Sequence, residues 1–268
     1  VAGGTDLYPA LGDGLPDHDL VDLTRIAGLG GIDRAPDGGH RLGATLRWAE
    51  IVRAPLPPAF DALRTAAREV GSVQIQNAGT LAGNLCTASP AADGVPPLLT
   101  LEAEVETTGP GGMRTMPLDR FLTGPRTTAL APGELVTAIR TPPPPEGAAS
   151  AFLKLGSRRY LVISIAMVSA LLWPAPGGRI AGARIAVGAC SPTARRLPAL
   201  EAAVTGLATA DLAAPGLVTP GHLAPLSPID DVRGPAPYRL EAVAELCRRA
   251  LVAAARRMEE TALETAHG

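Results

Sequence analysis

The chain has 268 residues, a length that allows one large or two modest domains at roughly 100–200 residues each. Hydrophobic residues make up 46% and charged residues 19%, which is the balance of a globular protein with enough apolar material for a core. The net charge of -2 excludes a strongly basic nucleic-acid-binding surface. The longest apolar run, Leu161 to Trp173, is too short for a bilayer, which needs about 20 residues.

The cysteines limit the covalent and metal chemistry of the chain. Cys86, Cys190 and Cys247 form no CxxC pair, and an odd number argues against a disulfide framework. A typical iron–sulfur cluster needs four thiolates, and the histidines lie far apart. We therefore expect no metal site in this chain and a reducing, cytoplasmic location.

The first half of the chain alternates short apolar runs with turns. Val1 to Pro9 predicts the end of a strand and a tight loop, and a fold that opens on half a strand indicates a missing start. The further pattern predicts a strand at 40–44, a helix at 45–52 with Thr45 as its N-cap, an amphipathic helix at 60–70, a short helix at 96–101, and strands at 103–107 and 135–140.

Four consecutive prolines within residues 141–147, TPPPPEG, mark the clearest domain boundary because they favour a stiff extended segment. Beyond it, the pattern predicts strands at 151–155 and 180–189, helices at 197–205 and 238–265, and a loop-rich connection at 211–237. Residues 161–172 are compatible with either a strand or a buried helix.

Two glycine-rich segments carry candidate chemistry. In VAGGTDL, the N–H groups of Gly3 and Gly4 and the Thr5 hydroxyl can bind phosphate oxygens without a fixed positive charge, although GGTD alone is typical of an ordinary turn. In residues 76–93, small residues alternate with short polar ones, which suits backbone lying against a ligand. There, Asp93 can accept a hydrogen bond from a sugar-chain hydroxyl, or polar side chains can satisfy their own backbone.

A third candidate is Lys154, the one lysine among 24 basic residues. A compact ammonium group is not equivalent to a guanidinium group, so a single lysine in an arginine-rich chain can have a specific role. Alternatively, the single lysine is present by chance, or it is an ordinary surface residue on a strand.

Together these segments resemble a known family. VAGGTDL and NAGTLAGNLCTASPAADGVPPLL are similar to the two FAD-binding signatures of the flavoprotein subunit in the xanthine dehydrogenase and carbon monoxide dehydrogenase family. AFLKLGSRR is similar to its F-x-K-x-x-x-R-R segment. The matching positions of the second signature are Thr80, Gly83, Asn84, Ser89, Pro90 and Asp93. Ser164 stands where the family often has an aspartate, so no contact of that acid is carried over.

The resemblance implies an α+β fold with a two-lobed FAD-binding domain at 1–145 and a smaller C-terminal domain of antiparallel strands and helices at 148–268. FAD would lie between the lobes. Its binding residues would be Ala2, Gly3, Gly4, Thr5, Asp6, Leu7, Thr80, Gly83, Asn84, Asp93, Leu135 and Lys154. Val136 is the alternative to Leu135 beside the flavin, and ring stacking by Trp48, Trp173 or Tyr160 competes with plain core packing.

The implied role is electron transfer within a three-component molybdenum hydroxylase. A molybdopterin-binding large subunit would oxidise substrate, and a small subunit with [2Fe–2S] clusters would relay electrons to the flavin for delivery to an external acceptor. No catalytic acid or base, nucleic acid or membrane span is expected in this chain. Two alternatives remain: a stand-alone FAD-dependent oxidase or reductase of the related fold, and a scaffold subunit without FAD.

Overall fold

A computed structural model describes the backbone of residues 1–158 and 161–267, with side chains described up to residue 264. Its α-helices are α1 (Leu7–Leu11), α2 (Trp48–Arg53), α3 (Asp61–Glu69), α4 (Val73–Ala78), α5 (Leu81–Thr87), α6 (Val95–Thr100), α7 (Leu118–Phe121), α8 (Pro198–Val204) and α9 (Ala236–His267). Its strands are β1 (Ile32–Arg34), β2 (His40–Gly43), β3 (Glu104–Gly109), β4 (Gly112–Pro117), β5 (Leu122–Gly124), β6 (Thr127–Thr128), β7 (Leu135–Thr141), β8 (Ala149–Leu155), β9 (Ala166–Ala175), β10 (Arg179–Gly188) and β11 (Arg195–Arg196).

The strands β1-β2-β7-β3-β4, in this order, form an antiparallel sheet before the proline segment. Ile139 of β7 lies opposite Leu42 on one neighbour and Val105 on the other, and all three are fully buried. They join α2, α3, α5 and α6 in one hydrophobic core. This sheet therefore forms one wall of the core, and the helices that precede the proline segment pack against it.

A buried glutamate links three strands of this sheet. Glu106 of β3 is 3% exposed, and its carboxylate accepts hydrogen bonds from Arg41 at 3.0 Å, Thr137 at 2.7 Å and Arg140 at 2.6 Å. Burial acts to raise the pKa of Glu106, but these three donors outweigh it and lower the pKa to about 2. Glu106 is therefore ionised over the physiological range and fixes its neighbouring strands in register.

A second antiparallel sheet, β11-β10-β9-β8, follows the proline segment. Helix α9 packs against β8 and β9, while α6 and α3 contact β8, β9 and β10. β9 is therefore buried on both faces, which is why its sequence lacks the alternation of a half-exposed strand. The segment that was ambiguous between strand and helix is a strand from Ala166 onward.

The predicted α+β class with antiparallel sheets is confirmed, and most predicted elements lie within a few residues of their expected positions. Two local predictions are wrong. Thr45 does not cap α2: its N–H donates to the Leu29 carbonyl, and the cap is Arg47, whose N–H donates to the Glu50 carboxylate. Residues 1–6 lie in no strand, and α1 begins at Leu7. No helix within the described residues has the length and apolar character needed to cross a membrane.

Candidate cofactor groove

The two glycine-rich segments meet in one groove of about 310 Å³. One wall is the loop at residues 1–7, and the other comes from α4, α5 and the turn between them. The lining residues are Val1, Ala2, Gly3, Gly4, Thr5, Asp6, Leu7, Trp48, Val70, Ile75, Gly79, Thr80, Gly83, Asn84 and Thr87. The sequence thus identified both walls of a shared cavity whose segments lie some 70 residues apart.

Glycine is required where the walls touch. A Cβ on Gly3 would lie 2.1 Å from the carbonyl oxygen of Ala78, far inside van der Waals contact. Gly4 has a φ of +67°, a left-handed conformation that suits glycine, and the Tyr8 ring lies against it. Gly3 therefore sets the spacing between the walls, a packing role beyond the expected approach to phosphate.

The second wall is fixed by the start of α5. The Thr80 side chain caps this helix by accepting a hydrogen bond from the Gly83 N–H at 3.1 Å. A Cβ on Gly83 would lie only 2.8 Å from the Thr80 hydroxyl oxygen. In turn, the Leu81 N–H donates to the Leu46 carbonyl at 2.9 Å, so the wall is anchored to the segment before α2.

The free hydrogen-bonding groups of the groove suit an uncharged mode of anion binding. The backbone N–H groups of Gly3, Gly4 and Thr5 donate to no acceptor among the described residues. The Oδ1 atom of Asn84 is buried and accepts no hydrogen bond from any residue that the structure describes. Among the side chains that line the groove, that of Asp6 is charged. Its carboxylate accepts a hydrogen bond from the Thr87 hydroxyl at 2.5 Å, which connects the two walls. Main-chain amides and an unsatisfied amide side chain, without a basic cluster, fit the diphosphate and polar groups of a dinucleotide.

Comparison with known proteins agrees with this geometry. Residues 1–144 match the FAD binding domain in molybdopterin dehydrogenase, and residues 151–254 match the CO dehydrogenase flavoprotein C-terminal domain. The chain belongs to the FAD-binding medium subunits of molybdenum hydroxylases.

Individual relatives agree with this family assignment. The chain is 32% identical to the xanthine dehydrogenase FAD-binding subunit of Escherichia coli O157:H7, over 72% of this chain and 67% of that protein. It is 30% identical to the carbon monoxide dehydrogenase medium chain of Hydrogenophaga pseudoflava, over 95% of this chain and 88% of that one. A crystal structure of Cu,Mo-CO dehydrogenase in its cyanide-inactivated form superposes with a TM-score of 0.87 at 29% identity, covering 96% of this chain and 89% of that chain.

Two other predicted site residues of this flavoprotein subunit pair with each other away from the groove lining. The Lys154 ammonium lies 2.6 Å from Oδ2 of Asp93, and the Ser164 hydroxyl donates to Oδ1 at 2.8 Å. Both charged side chains are more than nine-tenths buried. Burial raises the pKa of Asp93 above its ordinary value, although Lys154 and Ser164 act against it. Both carboxylate oxygens therefore have protein partners, and the pair joins the segment after α5 to β8.

Leu135, Val136 and Trp173 do not line the groove. Leu135 begins β7 and is 46% exposed, whereas Val136 is buried in the first core. Trp173 packs against that core with the Arg184 guanidinium 5.3 Å above its ring. The cofactor assignment of Leu135 stays a prediction. Arg159 and Tyr160 lie outside the described residues.

Sequence reasoning missed three residues of the groove. Val70 and Ile75 contribute apolar surface, and Thr87 contributes the hydroxyl that holds Asp6. Thr87 lies three positions after Asn84 on α5, so helical periodicity would have placed it on the same face. Trp48, considered for stacking, is 1% exposed and borders both the core and the groove.

Proposed function

We propose that this chain is the electron-transfer subunit of a molybdenum hydroxylase complex. It would take electrons from [2Fe–2S] clusters of a small partner subunit and pass them to an external acceptor. A molybdopterin-binding large subunit would oxidise the substrate. FAD suits the junction because it accepts electrons singly and releases them in pairs.

The observation that carries this proposal is the single groove shared by the two glycine-rich segments. In it, the amides of Gly3, Gly4 and Thr5 would bind diphosphate oxygens. Ala2 and Leu7 would contribute walls, and Asp6 would hold the loop to α5 through Thr87 instead of touching the phosphates. In this arrangement the Asp6 carboxylate does not face the negatively charged diphosphate, which it would repel.

The far wall would select the orientation of the cofactor. Asn84, with its buried and unpartnered Oδ1, would hydrogen-bond a donor group of the dinucleotide. Thr80 and Gly83 would present the first turn of α5 at close range because Gly83 has no side chain. This wall therefore supplies shape and hydrogen bonds, and the loop at residues 1–7 supplies the anion contacts.

Lys154 would act near the flavin ring, where a cation stabilises the reduced, anionic form. Asp93 would hold the ammonium in place through their 2.6 Å contact, in addition to its predicted bond to a sugar-chain hydroxyl. We also propose a cytoplasmic location, which the three free thiols favour.

The test is purification of the full-length protein alone and with its partner subunits. We expect a yellow protein that holds one FAD, turns over no hydroxylation substrate by itself, and is reduced when the assembled complex oxidises its substrate. Substrate turnover by the isolated subunit would instead indicate a stand-alone flavin oxidase or reductase. A colourless protein that still assembles would indicate a scaffold role.

A further inference from the structure

A second cavity, of about 370 Å³, begins immediately after α5. Its walls come from residues 89–91 and 125–126 before the proline segment, and from residues 163–164, 189–192 and 227–239 after it. Ile163 and Ile229 line it and are 59% and 63% exposed. Large apolar side chains exposed around a concavity of this size are typical of a ligand site.

The cavity adjoins the proposed flavin site through a hydrogen-bonded chain. Ser164 lines it and donates to Asp93, which in turn pairs with Lys154. Helix α5 also connects the two cavities, since residues along its length, including Thr87 at its end, line the groove, and Ser89 lines the cavity. Thr87 and Ser89 are two residues apart, at most about 7 Å along the chain, which is a short separation for two parts of one redox site.

The chemistry of the cavity differs from that of the groove. No glycine lines it among the described residues, so the close main-chain approach that suits a diphosphate is missing. The guanidinium groups of Arg233 and Arg239 lie 2.7 and 2.6 Å from the carboxylate of Asp231. Arg126 is the one lining cation without an ion-pair partner in the described part of the chain. A single unpaired guanidinium without glycine amides offers a diphosphate few donors, so these walls disfavour a dinucleotide with two phosphates.

Two hydroxyl groups are instead available to a neutral ligand. Ser89 Oγ accepts a hydrogen bond from the Ala91 N–H at 3.2 Å, which leaves its proton free to donate. The Ser227 hydroxyl has no partner among the described residues, since only its backbone N–H is engaged. A planar ring carrying carbonyl oxygens can accept hydrogen bonds from hydroxyls of this kind while its faces contact isoleucine and proline side chains.

We propose that this cavity binds the electron acceptor and that the acceptor is a neutral quinone, not a nicotinamide dinucleotide. The inference rests on the proposed function and names the acceptor class. A quinone bound there takes two electrons and two protons from the reduced flavin, becomes a hydroquinone and leaves the flavin oxidised.

The test measures binding of 2-methyl-1,4-naphthoquinone and of NAD⁺ to the oxidised, FAD-loaded complex by calorimetry. Ile229→Trp fills the cavity from its rim, and Ser227→Ala removes one donor. Val232→Trp is the matched control, because Val232 is fully exposed on the same loop and does not line the cavity. Stopped-flow reoxidation of the reduced flavin by the same quinone provides a second readout.

We expect saturable quinone binding that weakens at least about tenfold in Ile229→Trp and about three- to tenfold in Ser227→Ala. Val232→Trp should match the wild type, and NAD⁺ should not bind saturably. Equal quinone binding in all variants, or NAD⁺ binding that Ile229→Trp abolishes, would overturn the inference. FAD content measured on the same samples separates this failure from failure of the proposed function, which would appear as loss of flavin.

Discussion

Replacing Gly3 by alanine should weaken FAD binding by separating the walls of the groove. The added Cβ would lie 2.1 Å from the carbonyl oxygen of Ala78 and 2.7 Å from its carbonyl carbon. Both atoms belong to the backbone, so no side-chain rotation relieves the contact. Overpacking of this kind costs about 1–3 kcal/mol. If binding requires the closed spacing, that cost corresponds to a dissociation constant about 5- to 150-fold higher.

The assay is titration of the cofactor-free protein with FAD, followed by quenching of flavin fluorescence, together with a thermal melt of the same sample. Gly111→Ala is the matched control, since a Cβ there meets nothing within 4 Å and the residue lies in the distant turn between β3 and β4. An unchanged affinity in Gly3→Ala would show that the spacing between the walls does not control FAD binding.

Three further changes test other parts of the structure. Asn84→Ala should weaken FAD binding about three- to tenfold. It should not lower the melting temperature of the cofactor-free protein, because Oδ1 has no hydrogen-bond partner to lose among the described residues. Unchanged FAD binding with a lower melting temperature would contradict the role of Asn84. The lowered pKa of Glu106 contributes roughly 3 kcal/mol of stability that is present above pH 4.5 and is lost as the pH falls toward 2. Urea unfolding at pH 7 and pH 3 should show about 2 kcal/mol of this loss, and Glu106→Gln should reduce it; an identical pH dependence would refute the assignment. Arg239→Met removes the donor to the carbonyls of Ile165 and Ala189, while Asp231 keeps its ion pair with Arg233, and should cost about 1–3 kcal/mol in urea unfolding; an unchanged stability would show that the buried guanidinium is not structural.

The sequence could predict those strands and helices whose positions depend on short-range features such as hydrophobic alternation and proline. Alternation and proline breaks predicted β2, β3, β7, β8 and β10 to within a few residues. Thr45 illustrates a failure of local reasoning, because a distant carbonyl, that of Leu29, takes its N–H and the helix starts later. β9 was ambiguous because layers on both faces bury it, and the sequence shows only its apolar character.

The candidate site was partly predictable for a related reason. Gly3 and Gly83 stand where a side chain would collide with a neighbouring residue, and a glycine at such a position can be recognised in the sequence. The pairing of Asp93 with Lys154 spans 61 positions, and no local pattern links a carboxylate to an ammonium at that separation. The second cavity was not predictable either, since five separate segments form it and none has a distinctive composition.

The most direct test is an experimental structure of the FAD-loaded protein. It should show the diphosphate within hydrogen-bonding distance of the main-chain nitrogens of Gly3, Gly4 and Thr5, with α5 on the opposite side. A diphosphate held by arginine side chains, or bound outside the space between these two walls, would contradict the account.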